Sequence, residues 1–214
     1  MIRDEAAFGA FLASIRKFVR DKAIPREAEV ERADEVPTDL VETMRHGGFF
    51  GWSIPEAFGG AGLTTEELAL AAFELSQAAV AFRARVGTNT GIGSEGIVVD
   101  GTDDQKRRYL PRLASGEWTS CLAVTEPEAG SEASNVQTIA RRNGDSFVLN
   151  GEKRYITNAP IADVFTITAR TEPGTTGAKG VSAFIVERGA PGLTTGKPYR
   201  KMGQAGSPVG SVFL

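Results

Sequence analysis

Tyr109-Leu110-Pro111-Arg112-Leu113-Ala114-Ser115-Gly116-Glu117-Trp118-Thr119-Ser120-Cys121-Leu122-Ala123-Val124 is the stretch on which the fold turns. Up to Ala114 the apolar residues recur at helical spacing. Gly116 ends that pattern. From about residue 118 onward they come in short unbroken runs, the mark of strands.

Upstream of this switch the chain reads as helical. Phe8, Phe11, Leu12, Ile15, Phe18 and Val19 fall three and four apart and give one face of an amphipathic helix. A second short helix is expected from about Thr38 to Gly47-Gly48, where glycine can take a left-handed cap. Thr64 with Glu67, and Thr102 with Gln105, have the spacing of capping boxes. The first should open an alanine-rich helix reaching roughly Val80, the second a helix ending at Gly116. His46 falls in the last turn of its helix, where a basic residue suits the dipole.

Downstream, apolar runs occur at Cys121–Val124, Val136–Ala140, Phe147–Leu149, Tyr155–Thr157, Val164–Ala169 and Ala183–Val186. Asn143-Gly144 and Asn150-Gly151 stand between them as hairpin signals, since a tight turn needs residues at positive φ. No helical stretch separates the strands, so the pattern predicts an antiparallel β-barrel or sandwich. The expected fold is α+β: an all-α N-terminal helical domain over 1–118, then this β-domain over 119–214. Ser211-Val212-Phe213-Leu214 reads as the middle of a last strand, so more chain is expected to follow.

Composition narrows the function. Hydrophobic residues make up 41% and charged residues 24%, an ordinary globular balance. A net charge of -3 disfavours nucleic acid as the main partner. Residues 1–118 hold 14 Lys/Arg against 19 Asp/Glu, and residues 119–214 hold 10 against 8, so the second half better suits an anionic ligand. One cysteine, Cys121, allows no internal disulfide and, with no apolar leader segment, points to the cytoplasm. One His and one Cys exclude the usual zinc set.

Two segments carry chemistry. In Ala123-Val124-Thr125-Glu126-Pro127-Glu128-Ala129-Gly130-Ser131-Glu132 a strand runs into a loop of small residues. Its hydroxyls and turn N–H groups could cradle a diphosphate, although an ordinary strand exit reads much the same. In Leu149-Asn150-Gly151-Glu152-Lys153-Arg154-Tyr155-Ile156-Thr157-Asn158-Ala159 a turn leads into a strand. Alternation would put Tyr155 and Thr157 on one face. A ring beside a hydroxyl suits a planar heterocycle, and a core-facing tyrosine reads equally well.

Together these segments resemble the acyl-CoA dehydrogenase family, in a T-E-P-x-A-G-S loop and an L-N-G-x-K-x-(W/Y)-I-T-N strand. Three further stretches match it in order: Ile54-Pro55-Glu56-Ala57-Phe58-Gly59-Gly60-Ala61-Gly62-Leu63, Gly180–Val186 and Lys201-Met202-Gly203. The resemblance implies that Leu122, Ala123, Val124, Thr125, Gly130 and Ser131 line FAD. Ser131 would also meet the acyl-CoA substrate. Tyr155, Ile156 and Thr157 match the family's FAD-binding W-I-T triplet, whose aromatic would pack on the isoalloxazine and whose Thr would reach toward N5. Two positions depart from the family's pattern: Glu132 stands where Asp is usual, and Tyr155 where Trp is usual.

The reaction implied is α,β-dehydrogenation of an acyl-CoA thioester, with electrons passed to an electron-transfer flavoprotein and the protein working as a dimer or tetramer. The family's catalytic carboxylate comes from a C-terminal helical domain, so the resemblance assigns none here, and this chain alone is expected to be inactive. Glu126 reads as a structural, loop-fixing residue, with a catalytic role as the alternative. Alternatives on the same fold are a flavin-dependent oxidase or monooxygenase, or a non-catalytic FAD- or acyl-CoA-binding subunit. Arg83 and Arg85 read as a solvated helix end, with a CoA phosphate contact as the alternative.

Overall fold

The structure, a computed structural model, describes residues 1–214. They divide into two compact units. One comprises Met1–Trp118 with Arg200–Ser207, the other Thr119–Tyr199 with Pro208–Leu214.

In the first unit α1 spans Glu5–Phe18 and turns Phe8, Ile15 and Phe18 inward, as their spacing requires. The Asp4 carboxylate caps it by accepting the Ala7 N–H at 2.9 Å. A π-turn and a 3-10 turn then lead into α2 (Glu27–Ala33), which the apolar spacing does not announce. Helix α3 spans Thr38–His46, followed by Gly48 at φ 69°.

Helix α4 (Thr65–Leu75) opens on the expected box: the Thr64 N–H donates to Glu67 at 2.8 Å and the Glu67 N–H donates back to the Thr64 hydroxyl at 3.3 Å. It stops short of Val80. The Ala79 N–H donates to the Glu27 carboxylate at 2.6 Å, and Ala79 sits extended with ψ 138°. That bond from a distant helix resets the chain, and α5 (Val80–Gly87) starts anew. Helices α6 (Glu95–Asp100) and α7 (Asp103–Ala114) follow, the latter with its Thr102–Gln105 box in place. Ile15, Leu40, Met44, Phe50, Trp52, Leu75 and Phe82 form a core with essentially no exposure. Truncating one of its aromatics to alanine costs about 3–5 kcal/mol.

The second unit holds β1 (Ser120–Ala123), β2 (Ile139–Asn143), β3 (Ser146–Asn150), β4 (Glu152–Thr157), β5 (Val164–Arg170), β6 (Val181–Glu187), β7 (Thr194–Thr195) and β8 (Val209–Phe213). They form two open sheets rather than a closed barrel. In the larger, β5 pairs antiparallel with β6 on one edge. Its other edge takes β1 in parallel, then the start of β2, which leads on to β3. The smaller is antiparallel in the order β4-β8-β7. The core lies between them: Cys121, Ala123, Phe165 and Ile167 from one, Ile156 and Val212 from the other.

Two expectations need correction. Parallel pairing of β1 with β5 was not foreseen, because parallel strands need a long crossover and no helix was present. Here the intervening strands themselves make the crossover. The Asn-Gly pairs also behave differently from their reading. Asn143 is paired with Ser146, so the β2–β3 turn is Gly144-Asp145, one residue later, with Gly144 at φ 62°. Asn150-Gly151 is no hairpin: β3 pairs with β2, and β4 with β8 of the other sheet. A Cβ on Gly151 would lie 2.4 Å from the Thr138 hydroxyl oxygen, so glycine serves close approach there.

Candidate functional site

The two segments singled out in the sequence meet in the second unit. Strand β1 leaves the sheet through Val124 and Thr125 and reaches a tight turn in which the Glu126 N–H donates to the Ala129 carbonyl at 2.9 Å. The Thr125 carbonyl accepts the Arg154 N–H at 2.8 Å, so the loop lies against β4 by main chain.

Beneath that contact is a buried ion pair. The Lys153 ammonium donates to Glu126 Oε1 at 2.7 Å, to the Val124 carbonyl at 3.2 Å and to Thr168 Oγ1 at 3.2 Å. Lys153 is 0% exposed and Glu126 4%. The Glu126 carboxylate also accepts the N–H groups of Gln137 at 2.6 Å and Thr138 at 3.0 Å. Burial by itself pushes its pKa up, but the bonds from Lys153 and from these N–H groups outweigh burial and hold it below the ordinary carboxylate range. Burial lowers the Lys153 pKa, and Glu126 opposes the shift. Glu126 is therefore an ionised, fully occupied anchor, as expected of a loop-fixing residue and not of a proton acceptor.

The expected site residues divide by exposure. Ala123 and Ile156 point into the core, so only their backbones can face a ligand. Leu122, Val124, Thr125 and Thr157 are half-buried, and Gly130 and Ser131 are exposed. Tyr155 is 64% exposed and stands at φ 59°, where the β4–β8 register shifts between Lys153 and Ile156. The bulge breaks regular alternation: Lys153 and Ile156, three apart, are both buried. The Tyr155 ring leans on Tyr199 at 5.4 Å between centroids, and the Tyr199 hydroxyl shares a 2.6 Å hydrogen bond with Ser211.

The donors suit an oxygen-rich, flat ligand. Small residues border the loop, the hydroxyls of Thr125, Ser131, Tyr155 and Thr157 stand on it and on β4, and a Cβ added at Gly130 would meet no non-neighbouring atom within 4 Å. A hollow of about 270 Å³ on the loop's flank has Glu128 and Glu152 in its lining, which disfavours a diphosphate there.

The sequence matches the N-terminal domain of acyl-CoA dehydrogenase over residues 7–117 and the middle domain over residues 121–214. The chain belongs to the acyl-CoA dehydrogenase family. It is 38% identical over 193 residues to an acyl-CoA dehydrogenase of Bacillus subtilis, covering 90% of this chain and 51% of that protein. It is 40% identical over 205 residues to a 3-(aryl)acrylate reductase of Clostridium sporogenes, covering 94% and 54%. Among solved structures, an acyl-CoA dehydrogenase of Bacillus anthracis complexed with FAD superposes with a TM-score of 0.87 at 33% identity, over 99% of this chain and 36% of that one. The chain spans about half the length of the curated relatives it matches.

Within this family framework, three contributors escaped the sequence reading. Lys153 is the partner that Glu126 needed, and an unpaired buried carboxylate should have signalled one. Arg170 donates to the carbonyls of Ser134, Val136 and Lys179 at 3.0–3.2 Å and fixes the chain just after the loop. Tyr199 supports Tyr155 from 44 residues away, and no local pattern reveals that. Arg83 and Arg85 are both half-buried on α5; Arg85 lies in its last turn, as the helix-end reading expects, but stacks over Phe50 at 5.2 Å instead of being fully solvated. His46 closes α3, with Nδ1 2.8 Å from the Glu42 carbonyl. Burial pushes the Cys121 thiol far above its ordinary pKa, so it is no nucleophile. No group of His, Cys, Asp and Glu side chains could hold a metal, and no helix is long and apolar enough to cross a membrane.

Proposed function

We propose that this chain forms the flavin-facing wall of an enzyme that α,β-dehydrogenates an acyl-CoA thioester. The observation that carries the reading is the Thr125–Arg154 main-chain bond, which brings the small-residue loop and the Tyr155–Thr157 strand side by side. The family relationship and the FAD-bound relative support FAD as the cofactor. Bound FAD would supply the hydride acceptor.

The chain's residues do the holding. Thr125 and Thr157 offer hydroxyls to the flavin's polar edge, and Tyr155 offers a ring face. Gly130 and Ser131 let a ligand approach the backbone, with Ser131 also meeting the acyl thioester tail. No residue here is assigned as the base that takes the α-proton. Electrons would pass to an electron-transfer flavoprotein, and the working protein would be an oligomer. A single buried cysteine suits a reducing compartment such as the cytoplasm.

Titration with FAD tests the reading. The protein should quench flavin fluorescence, and Thr157→Ala should weaken binding or alter the visible spectrum; an unaffected variant would count against this placement. With FAD bound, octanoyl-CoA should not be converted by these 214 residues alone, and measurable enoyl-CoA would put the base among them. A second reading has one specific support: the 40% identical relative is named a reductase of an acrylate. Double-bond reduction by a chemically reduced flavin, in place of dehydrogenation, would favour it.

A further inference from the structure

We infer that Glu126 and Lys153 are positioning residues that set the flavin seat through the backbone of Val124 and Thr125. The inference rests on the flavin reading above and adds the device that makes the seat rigid.

Three consecutive residues of the loop are each tied down. The Val124 carbonyl is held by the Lys153 ammonium, the Thr125 carbonyl by the Arg154 N–H, and Glu126 by Lys153 and the N–H groups of Gln137 and Thr138. Lys153 and Arg154 lie on the same strand, β4, directly before Tyr155, Ile156 and Thr157. One pair of charges thus joins both proposed flavin-contacting segments to a third, residues 137–138.

The pair is a poor choice for stability alone. Two buried charges are costly to desolvate, and well-packed apolar side chains of equal volume often serve stability as well or better. What apolar packing cannot supply is direction. The three ammonium hydrogens each have an acceptor, and both carboxylate oxygens have donors. Such a satisfied network admits a single arrangement. Ligand-contacting groups need placement to within about 0.5 Å. The Thr125 hydroxyl hangs on the backbone that this network holds.

The test compares Glu126→Gln, Lys153→Met and the double variant Glu126→Gln/Lys153→Met in the full chain. Three quantities are read: FAD affinity by fluorescence quenching, the thermal midpoint, and amide hydrogen exchange across residues 124–131. Each single variant strands a buried charge and should lose both stability and FAD affinity. The double variant removes both charges and should recover most of the stability. Its FAD affinity should stay at least tenfold below wild type, with faster exchange at Glu126 and Ala129, whose N–H groups close the turn. A folded double variant that binds FAD as the wild type does would overturn the inference and leave the flavin reading intact. A wild-type protein that binds no FAD would overturn the flavin reading. In that case wild-type exchange rates at residues 124–131 of the double variant would overturn the inference as well.

Discussion

Two glycines of the β-unit separate what the fold requires from what a ligand requires. A Cβ on Gly151 would stand 2.4 Å from Thr138 Oγ1, 2.8 Å from its Cβ and 2.9 Å from its Cα. The last of these is backbone, so no side-chain rotation relieves it. Overpacking of this kind costs about 1–3 kcal/mol. For a chain of this size that lowers the thermal midpoint by roughly 2–4 °C per kcal/mol. Gly130 is the opposite case. Its φ is not positive, and a Cβ there meets nothing within 4 Å. Alanine at such a position should be neutral or stabilise by about 0.4–1 kcal/mol through the unfolded chain. If a bound FAD approaches the Gly130 backbone, the added methyl must displace it, at about 1–3 kcal/mol. That corresponds to a loss of roughly 5-fold to 150-fold in affinity. Gly130→Ala should therefore keep its thermal midpoint and lose FAD binding, while Gly151→Ala loses its midpoint. Differential scanning calorimetry with fluorescence titration reads both. A Gly130→Ala protein with wild-type FAD affinity would refute the claim that this backbone faces the ligand.

Other outcomes follow from the same geometry. Tyr155→Gly relieves a left-handed φ worth about 1–2 kcal/mol and adds unfolded-state entropy of similar size. Unfolding free energies from urea titration should thus stay within about 1 kcal/mol of wild type, while FAD affinity falls; a large loss of stability would contradict the exposed, strained placement. Gly60→Ala puts a Cβ 1.9 Å from the Ile54 carbonyl oxygen, whereas Gly59→Ala meets no atom but has φ 82°. Chemical denaturation should find the first far more damaging, and equal costs would contradict the packing of this loop. Glu67 is held down to a pKa of about 2, chiefly by the N–H groups of Arg3 and Thr64. A depressed carboxyl contributes stability that is present above its unfolded value near 4.5 and lost as pH falls toward 2. Glu67→Gln should flatten the acid limb of a stability–pH curve, and an unchanged limb would contradict this assignment.

Much of this was legible in the residues because it is local. The Thr64 and Thr102 boxes, the apolar face of α1 and five of the six strand runs depend on neighbours within a few positions, while β2 (Ile139–Asn143) is shifted three residues on from the apolar run Val136–Ala140. The misses have non-local causes. A carboxylate from α2 ends the Ala79 N–H's part in a continuous helix. Thr138, from another segment, decides why Gly151 is glycine. The parallel β1–β5 pairing depends on a crossover of about forty residues, which hydrophobic period cannot see. At the site, motif order brought Thr125 and Thr157 into view. The bulge that exposes Tyr155 and the pair that fixes the loop are tertiary features, visible only once β4 pairs with β8 and lies against the loop after β1.

Hydrogen exchange with and without excess FAD, resolved to individual amides, addresses the central claim most directly. FAD should slow exchange at residues 124–126, 129–131 and 155–158 and leave Glu128, Ile139 and Glu152 on the acidic flank unchanged. Slowing confined to other parts of the chain, or none under saturating FAD, would contradict the assignment of this surface as the flavin wall.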